Sequence, residues 1–290
     1  MIELGQFQPT GPTSVALGFF DGVHRGHQAL LSRAEVAFTF SNHPETVLRP
    51  DSAPPLLTTF AERGQIIESM GRTVVYREFD RDFASMAPDR FAREVLRGQL
   101  QAERLVMGPN YRFGHRAAGT PELLRELGFE ITLVDPVEQW GQVISSTGIR
   151  QLLTRGRASE AANCMGRPYS WRQTVARGQQ RGRELGTPTA NLPLPEGKVV
   201  PALGVYVMQA ELEGSVYNAV ANLGIRPTFG QSTAPLLEVH LLDFEGDLYD
   251  RELTVRFLGR LREERRFDGL ESLREQIARD REQALQFFGA

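Results

Sequence analysis

An α/β domain built on a parallel sheet, followed by a small antiparallel β-barrel with a terminal helix, is the fold class this sequence predicts. Three observations lead there. Strand-like and helix-like runs alternate through the first half. From Tyr169 to Leu261 the helical period gives way to short β-type runs punctuated by Gly and Pro. A charged helical stretch returns from about Leu270 to Phe287.

The elements follow in order. Val15 to Phe19 reads as a short buried strand, Asp21-Gly22 as its turn, and His24 to Arg33 as a helix. Val36 to Phe40 is a second strand, Thr59 to Met70 a helix and Thr73 to Tyr76 a strand. Pro88 opens a helix to about Arg97, Arg104 to Gly108 is extended, Pro121 to Leu127 is helical and Glu130 to Val134 extended. Such alternation implies parallel βαβ units, whose binding sites lie beyond the carboxyl ends of the strands. A parallel crossover normally takes about a dozen residues or more, and Asp21 to Glu35 just spans one. In the second half the β-type runs are Val205 to Met208, Val216 to Val220, Leu237 to Leu242 and Leu253 to Phe257, at a spacing that suits a small barrel. The boundary is expected at Gly166-Arg167-Pro168, giving domains at 1–166 and 167–290.

Composition narrows the chemistry. The 290 residues are 41% hydrophobic and 24% charged, the balance of a folded globular protein. Net charge is −3, divided as −1 over residues 1–167 and −2 over residues 168–290, so neither half is a basic nucleic-acid module. A single cysteine, Cys164, excludes disulfide scaffolds and cysteine-based zinc sites. The first residues have neither the basic nor the apolar segment of a signal peptide, and no apolar run reaches membrane-spanning length, so a cytoplasmic protein without membrane partners is expected. Lys198 is the sole lysine, and Gly197-Lys198 is followed by Val199, which excludes a P-loop. Phosphate handling then falls to arginine forks, backbone N–H groups, histidines and metal.

Two constellations in the first half suit that task. Gly18-Phe19-Phe20-Asp21-Gly22-Val23-His24-Arg25-Gly26-His27 leaves a strand and opens a helix. His24 and His27 share one side of the first turn, Gly26 keeps that side low, and the helix N-terminus favours an anion. The plain alternative is a capped helix with two surface histidines. Ser145-Ser146-Thr147 and Arg150 open a second helix, where the hydroxyls serve equally as caps or as phosphate ligands.

The second half carries another pair. Arg177 to Leu192 holds glycines at 178, 182 and 186, which let backbone wrap a phosphate, and then Thr189-Ala190-Asn191, whose hydroxyl and amide face one way in extended structure and suit Mg²⁺. Read without a relative, this is equally a Gly-rich hairpin and a proline turn. Leu237-Glu238-Val239-His240-Leu241 sets Glu238 and His240 on one face of a strand. Glu238 there is either a base near a nucleotide or part of an outward polar stripe, and His240 reads as a packing residue.

The HxGH loop, Phe40-Ser41-Asn42-His43-Pro44, Gly108-Pro109-Asn110-Tyr111-Arg112-Phe113-Gly114 and Ser145 to Arg150 occur in an order that resembles the bacterial bifunctional riboflavin kinase/FAD synthetases, and the resemblance covers nearly the whole chain. It implies a Rossmann-like nucleotidyltransferase domain that adenylylates FMN and a riboflavin-kinase barrel. ATP would be a substrate, with riboflavin, FMN and FAD as substrates or products, and Mg²⁺ would be held by Thr189 and Asn191. The same resemblance implies that His24, His27, Arg150 and the neighbouring Ser145, Ser146 and Thr147 hold the triphosphate, that Gly18, Phe20 and Asp21 belong to the nucleotide loop, and that His43 and Asn110 line the flavin–nucleotide cleft. In the barrel it implies phosphate binding by Gly178, Gly182, Arg183 and Gly186, a mobile loop with Arg226, a flap of Arg265, Arg266 and Phe267 over the flavin, and Glu238 as base for the ribityl hydroxyl. A monomer or weak homo-oligomer, with no nucleic-acid partner, is expected. A kinase with an impaired first domain and a non-catalytic flavin-binding regulator are the competing readings.

Overall fold

The computed structural model describes residues 1–177, 189–225, 235–265 and 267–289. The chain divides into two compact units, Met1–Ser146 and Thr147–Ala290.

The first unit is built on six parallel strands: β1 (Ile2–Glu3), β2 (Thr13–Leu17), β3 (Val36–Phe40), β4 (Thr73–Arg77), β5 (Ala102–Met107) and β6 (Glu130–Leu133), in the order β1-β4-β3-β2-β5-β6. Val15, Leu17, Val36 and Phe38 pack on one face, and Ala16 and Ala37 on the other. Both faces are covered, which is why these strands read as continuous apolar runs. The short crossover closes. A helix of only Arg25–Leu31 suffices to bring β2 and β3 side by side, with Val15 opposite Val36 and Leu17 opposite Phe38.

The helix expected from Pro88 departs from α geometry. After one turn, Pro88–Arg90, it widens over Phe91–Gln99, and the N–H of Leu100 reaches back five residues to the Val95 carbonyl at 2.9 Å. Phe91, Ala92, Val95, Leu96 and Leu100 are all buried, and the wider turn keeps this spacing on one face. A two-strand hairpin, β7 (Glu138–Gln139) and β8 (Gln142–Val143), precedes the helix Ser146–Thr154.

In the second unit, β9 (Tyr169–Thr174), β10 (Ala190–Leu192), β11 (Gly204–Leu212), β12 (Ser215–Ile225), β13 (Pro235–Leu241) and β14 (Glu252–Arg262) form an antiparallel sheet in the order β10-β13-β12-β11-β14-β9. The sheet curls until its two edges meet, and the Ala176 N–H donates to the Asn191 carbonyl at 2.8 Å. Trp171, Tyr169, Tyr206 and Phe257 fill the interior, with Trp171 and Tyr206 each edge-on to Phe257 at about 5 Å. The helix Leu270–Phe288 lies against the sheet, packing Ala284 with Val205, Val207, Val220 and Leu242. Lys198 is buried and donates to the Ser170 carbonyl at 2.8 Å.

Candidate active sites

The loop between β2 and the helix Arg25–Leu31 is held in an unusual conformation. Phe20, Gly22 and Val23 all have positive φ, at 58°, 78° and 38°. Two of these are not glycine, and such backbone persists only where its surroundings over-determine it. Asp21 supplies much of that determination. Its carboxylate accepts from the Leu57 N–H at 3.0 Å and the Thr58 N–H at 3.1 Å, while the Gly22 N–H donates to the Thr58 hydroxyl at 3.0 Å. A Cβ on Gly22 would meet Leu57 Cδ1 at 2.7 Å, so the tight approach itself needs glycine.

His24 caps the helix, its Nδ1 accepting from the His27 N–H at 3.3 Å, and the two rings stack 3.6 Å apart. Gly26 has a sharper reason than a low surface: a side chain there would stand 3.1 Å from the His24 ring. Ser146 donates to the Asp21 carbonyl at 2.9 Å, which ties the serine-threonine segment to this loop within the first unit. Ser145 is exposed beside it. Thr147 and Arg150 follow on the helix Ser146–Thr154, in the second unit; Thr147 is exposed and Arg150 half-buried.

Beside the loop lies a cavity of about 890 Å³ whose wall begins with Gly18 and Phe19. Its lining is a run of touching rings: Phe79 against Phe40 at 5.0 Å, Phe40 against Phe83 at 5.5 Å, Phe83 against Phe91 at 5.7 Å, Phe91 against Phe113 at 5.5 Å and Phe113 against Tyr111 at 6.1 Å. Burial drives the Tyr111 hydroxyl well above its ordinary pKa, so that ring stays neutral. Arg49, Arg81, Arg112 and Arg116 also line the cavity. An apolar slot with aromatic walls and cationic edges takes a flat ring system bearing a phosphate. His43 stands at its margin, edge-on to Phe19 at 4.6 Å. Asn110 is exposed just before Tyr111 and is not part of the cavity lining.

Sequence reasoning missed most of these rings. The signal was present, since Phe38 and Phe40 are two apart on a strand and Phe79 and Phe83 four apart around a helix start, where Asp80 caps Phe83.

In the second unit the strands align three polar residues in one cross-strand row. Asn191 on β10 faces Glu238 on β13, and Glu238 faces Asn222 on β12. Directly opposed residues of an antiparallel ladder have Cβ atoms about 5 Å apart on the same face. Glu238 and His240 are half-buried while Leu237, Val239 and Leu241 are buried, which is the expected alternation. Asn191 is only 5% exposed, and its Oδ1 has no hydrogen-bond partner among the described residues. A buried amide oxygen without a donor suits an oxygen-seeking cation, and Thr189 precedes it by two residues. Among the described residues no cluster of three or more His, Cys, Asp or Glu is arranged to hold a metal. Gly178, Gly182, Arg183, Gly186, Arg226 and Arg266 lie outside the described residues.

Arg262 and Arg265 are tied to the helix Leu270–Phe288. Arg262 forks the buried Asp280 carboxylate at 2.8 and 2.9 Å, Gln276 donates to the same carboxylate at 2.7 Å, and Arg265 donates to Gln276. The Arg265 guanidinium lies 4.8 Å from the Phe267 ring centre. The acid that pairs with Arg262 stands on this helix one turn after Gln276.

Two family models match the chain. Residues 7–148 match the family model described as FAD synthetase, and residues 165–288 match that described as riboflavin kinase. A bifunctional riboflavin kinase/FMN adenylyltransferase of Bacillus subtilis is 35% identical over 94% of this chain and 92% of its own. The protein of the same name from Escherichia coli K12 is 36% identical over 95% and 92%. A crystal structure from Streptococcus pneumoniae, described as a macrolide-efflux protein, superposes with a TM-score of 0.89 at 32% identity, covering 97% of this chain and 98% of that one. Among the described residues here, no helix is long and apolar enough to cross a membrane.

Proposed function

The chain belongs to the bifunctional riboflavin kinase/FMN adenylyltransferase family, and from that premise we propose how its two units divide the work. It phosphorylates riboflavin to FMN with ATP and adenylylates FMN to FAD with release of pyrophosphate. By chemistry, residues 1–166 make the adenylylating part and residues 167–290 the kinase part, although 147–166 cluster with the barrel.

One observation carries the adenylylation reading: Gly18-Phe19 belongs both to the wall of the aromatic cavity and to the loop that ends at His24. Isoalloxazine in that cavity carries its phosphate toward the helix N-terminus where ATP phosphates are held. FMN phosphate then attacks the α-phosphorus and expels pyrophosphate. His24 and His27 donate to the charge developing on the leaving group, Arg150 neutralises it, and Ser145, Ser146 and Thr147 supply hydroxyls. His43 and Asn110 border the flavin side. No covalent enzyme intermediate is needed.

In the barrel, Glu238 takes the proton from the ribityl hydroxyl as it attacks the γ-phosphorus of ATP. Asn191 and Thr189 fit a Mg²⁺ ion, which when bound neutralises phosphate charge. Arg265 and Phe267 cover the flavin, held through Gln276 to Asp280. The chain acts in the cytoplasm on small molecules, as a monomer or weak homo-oligomer without nucleic-acid partners.

The test is a product time course. Purified protein with riboflavin, ATP and Mg²⁺ is expected to form FMN first and FAD after it. FMN that accumulates without FAD, even when FMN is supplied directly, would leave a kinase alone; neither product would leave a flavin binder.

A further inference from the structure

Arg63 is the one charged side chain among the described residues with no exposed surface at all. It sits in the helix Phe60–Ser69, directly after the capping box of Thr59 and Glu62. Its Nη2 donates to the Phe40 carbonyl, but Nε and Nη1 have no hydrogen-bond partner among the described residues. The guanidinium carbon lies 4.2 Å from the centre of the Phe19 ring and 5.6 Å from that of Phe60. Burial lowers its pKa from 12.5 to about 10, and the Asp21 carboxylate pulls it back upward, so it is charged at neutral pH.

A buried cation with two unsatisfied donors is a costly way to fill space, and an apolar side chain would pack there without that penalty. Its neighbours say what it does instead. Asp21 is buried in the loop that the adenylylation reading assigns to a polyphosphate, and Arg63 lies within its electrostatic reach. Phe19, on whose face the guanidinium rests, is cavity wall and touches His43 edge-on at 4.6 Å. Phe40, whose carbonyl Arg63 holds, is cavity wall too. One side chain therefore meets the loop electrostatically and the cavity sterically.

We propose that Arg63 is a positioning residue for adenylylation: its charge offsets Asp21 beneath the phosphate loop, and its plane fixes Phe19 at the cavity wall. The two tasks separate by substitution. Arg63→Lys keeps the charge and gives up the flat stacking surface and the fork. Arg63→Met keeps length and packing and gives up the charge.

This rests on the reading that the first unit adenylylates FMN, so wild-type protein is assayed first for FAD from FMN; its failure there would overturn that reading and not this one alone. Given activity, KM for ATP and KM for FMN are measured in adenylylation for both variants, with riboflavin phosphorylation on the same chain as an internal reference. In Arg63→Lys, KM for FMN rises about fivefold, as the flat guanidinium no longer stacks on Phe19, while KM for ATP stays within about twofold. In Arg63→Met both rise, that for ATP by about tenfold or more, because the loop then lacks its buried cation. Kinase constants are unchanged in both. A purely structural Arg63 would move the two KM values together in both variants, or move only kcat and melting temperature, and either result overturns the proposal. Should Arg63→Met not fold, Arg63→Lys decides alone: a rise confined to FMN supports the proposal, and any other pattern contradicts it.

Discussion

The loop from Gly18 to His24 in the first unit holds its histidines by burying charge and strained backbone beneath them, whereas the polar row of the second unit stands on strand register. In the first, three supports act together: Asp21 on the N–H groups of Leu57 and Thr58, Gly22 against Leu57, and Arg63 against Phe19. In the second, Asn191, Glu238 and Asn222 line up because period-two alternation and antiparallel pairing put opposed residues on one face. A loop offers backbone N–H groups to an anion and must be paid for with packing from elsewhere. A ladder offers side chains and brings its own frame. Each suits the chemistry proposed for it, since a triphosphate is gripped by many donors and a hydroxyl needs one well-placed base.

Substitutions that remove one activity and spare the other test this contrast. Glu238→Gln should lower kcat for FMN formation by about 10²- to 10⁴-fold, the usual worth of a general base, while FAD formation from supplied FMN is unchanged. His24→Ala should do the converse, lowering adenylylation about 10²- to 10³-fold as for loss of one preorganised donor, with FMN formation intact. Steady-state assays with riboflavin or FMN as the added flavin measure both, and equal losses in the two reactions would break the separation. Asp280→Ala removes the acid on which Arg262 and Gln276 converge and should cost about 3 kcal/mol of stability, read as a lowered thermal midpoint for the second unit with adenylylation at low temperature preserved. Asn191→Ala should raise the Mg²⁺ concentration for half-maximal kinase activity about tenfold without changing that of adenylylation.

The sequence made the frame legible because its signals are local. Strand Val36–Phe40, the capped helix after Thr59 and the alternation around Glu238 are each written within a few residues. The loop from Gly18 to His27 was legible for the same reason, with glycines and histidines at fixed spacing. What escaped depends on distance along the chain. Arg63 matters because Phe19 and Asp21 lie more than forty positions earlier, and a lone arginine in an amphipathic helix carries no mark of burial. The aromatic cavity gathers Phe40, Phe79, Phe91 and Tyr111 from four separate segments. Asn222 gains meaning only once β12 is placed beside β13. The widened helix after Arg90 escaped because its apolar spacing is compatible with an ordinary α-helix until Leu100.

The central claim is that each activity belongs to its own site, and mixing two damaged proteins tests it directly. Glu238→Gln and His24→Ala are each given riboflavin, ATP and Mg²⁺, alone and combined in equal amounts. The account predicts no appreciable FAD from either alone and FAD from the mixture, as FMN made by the His24→Ala protein is adenylylated by the Glu238→Gln protein. A mixture that makes no FAD, with each variant still folded, would contradict it.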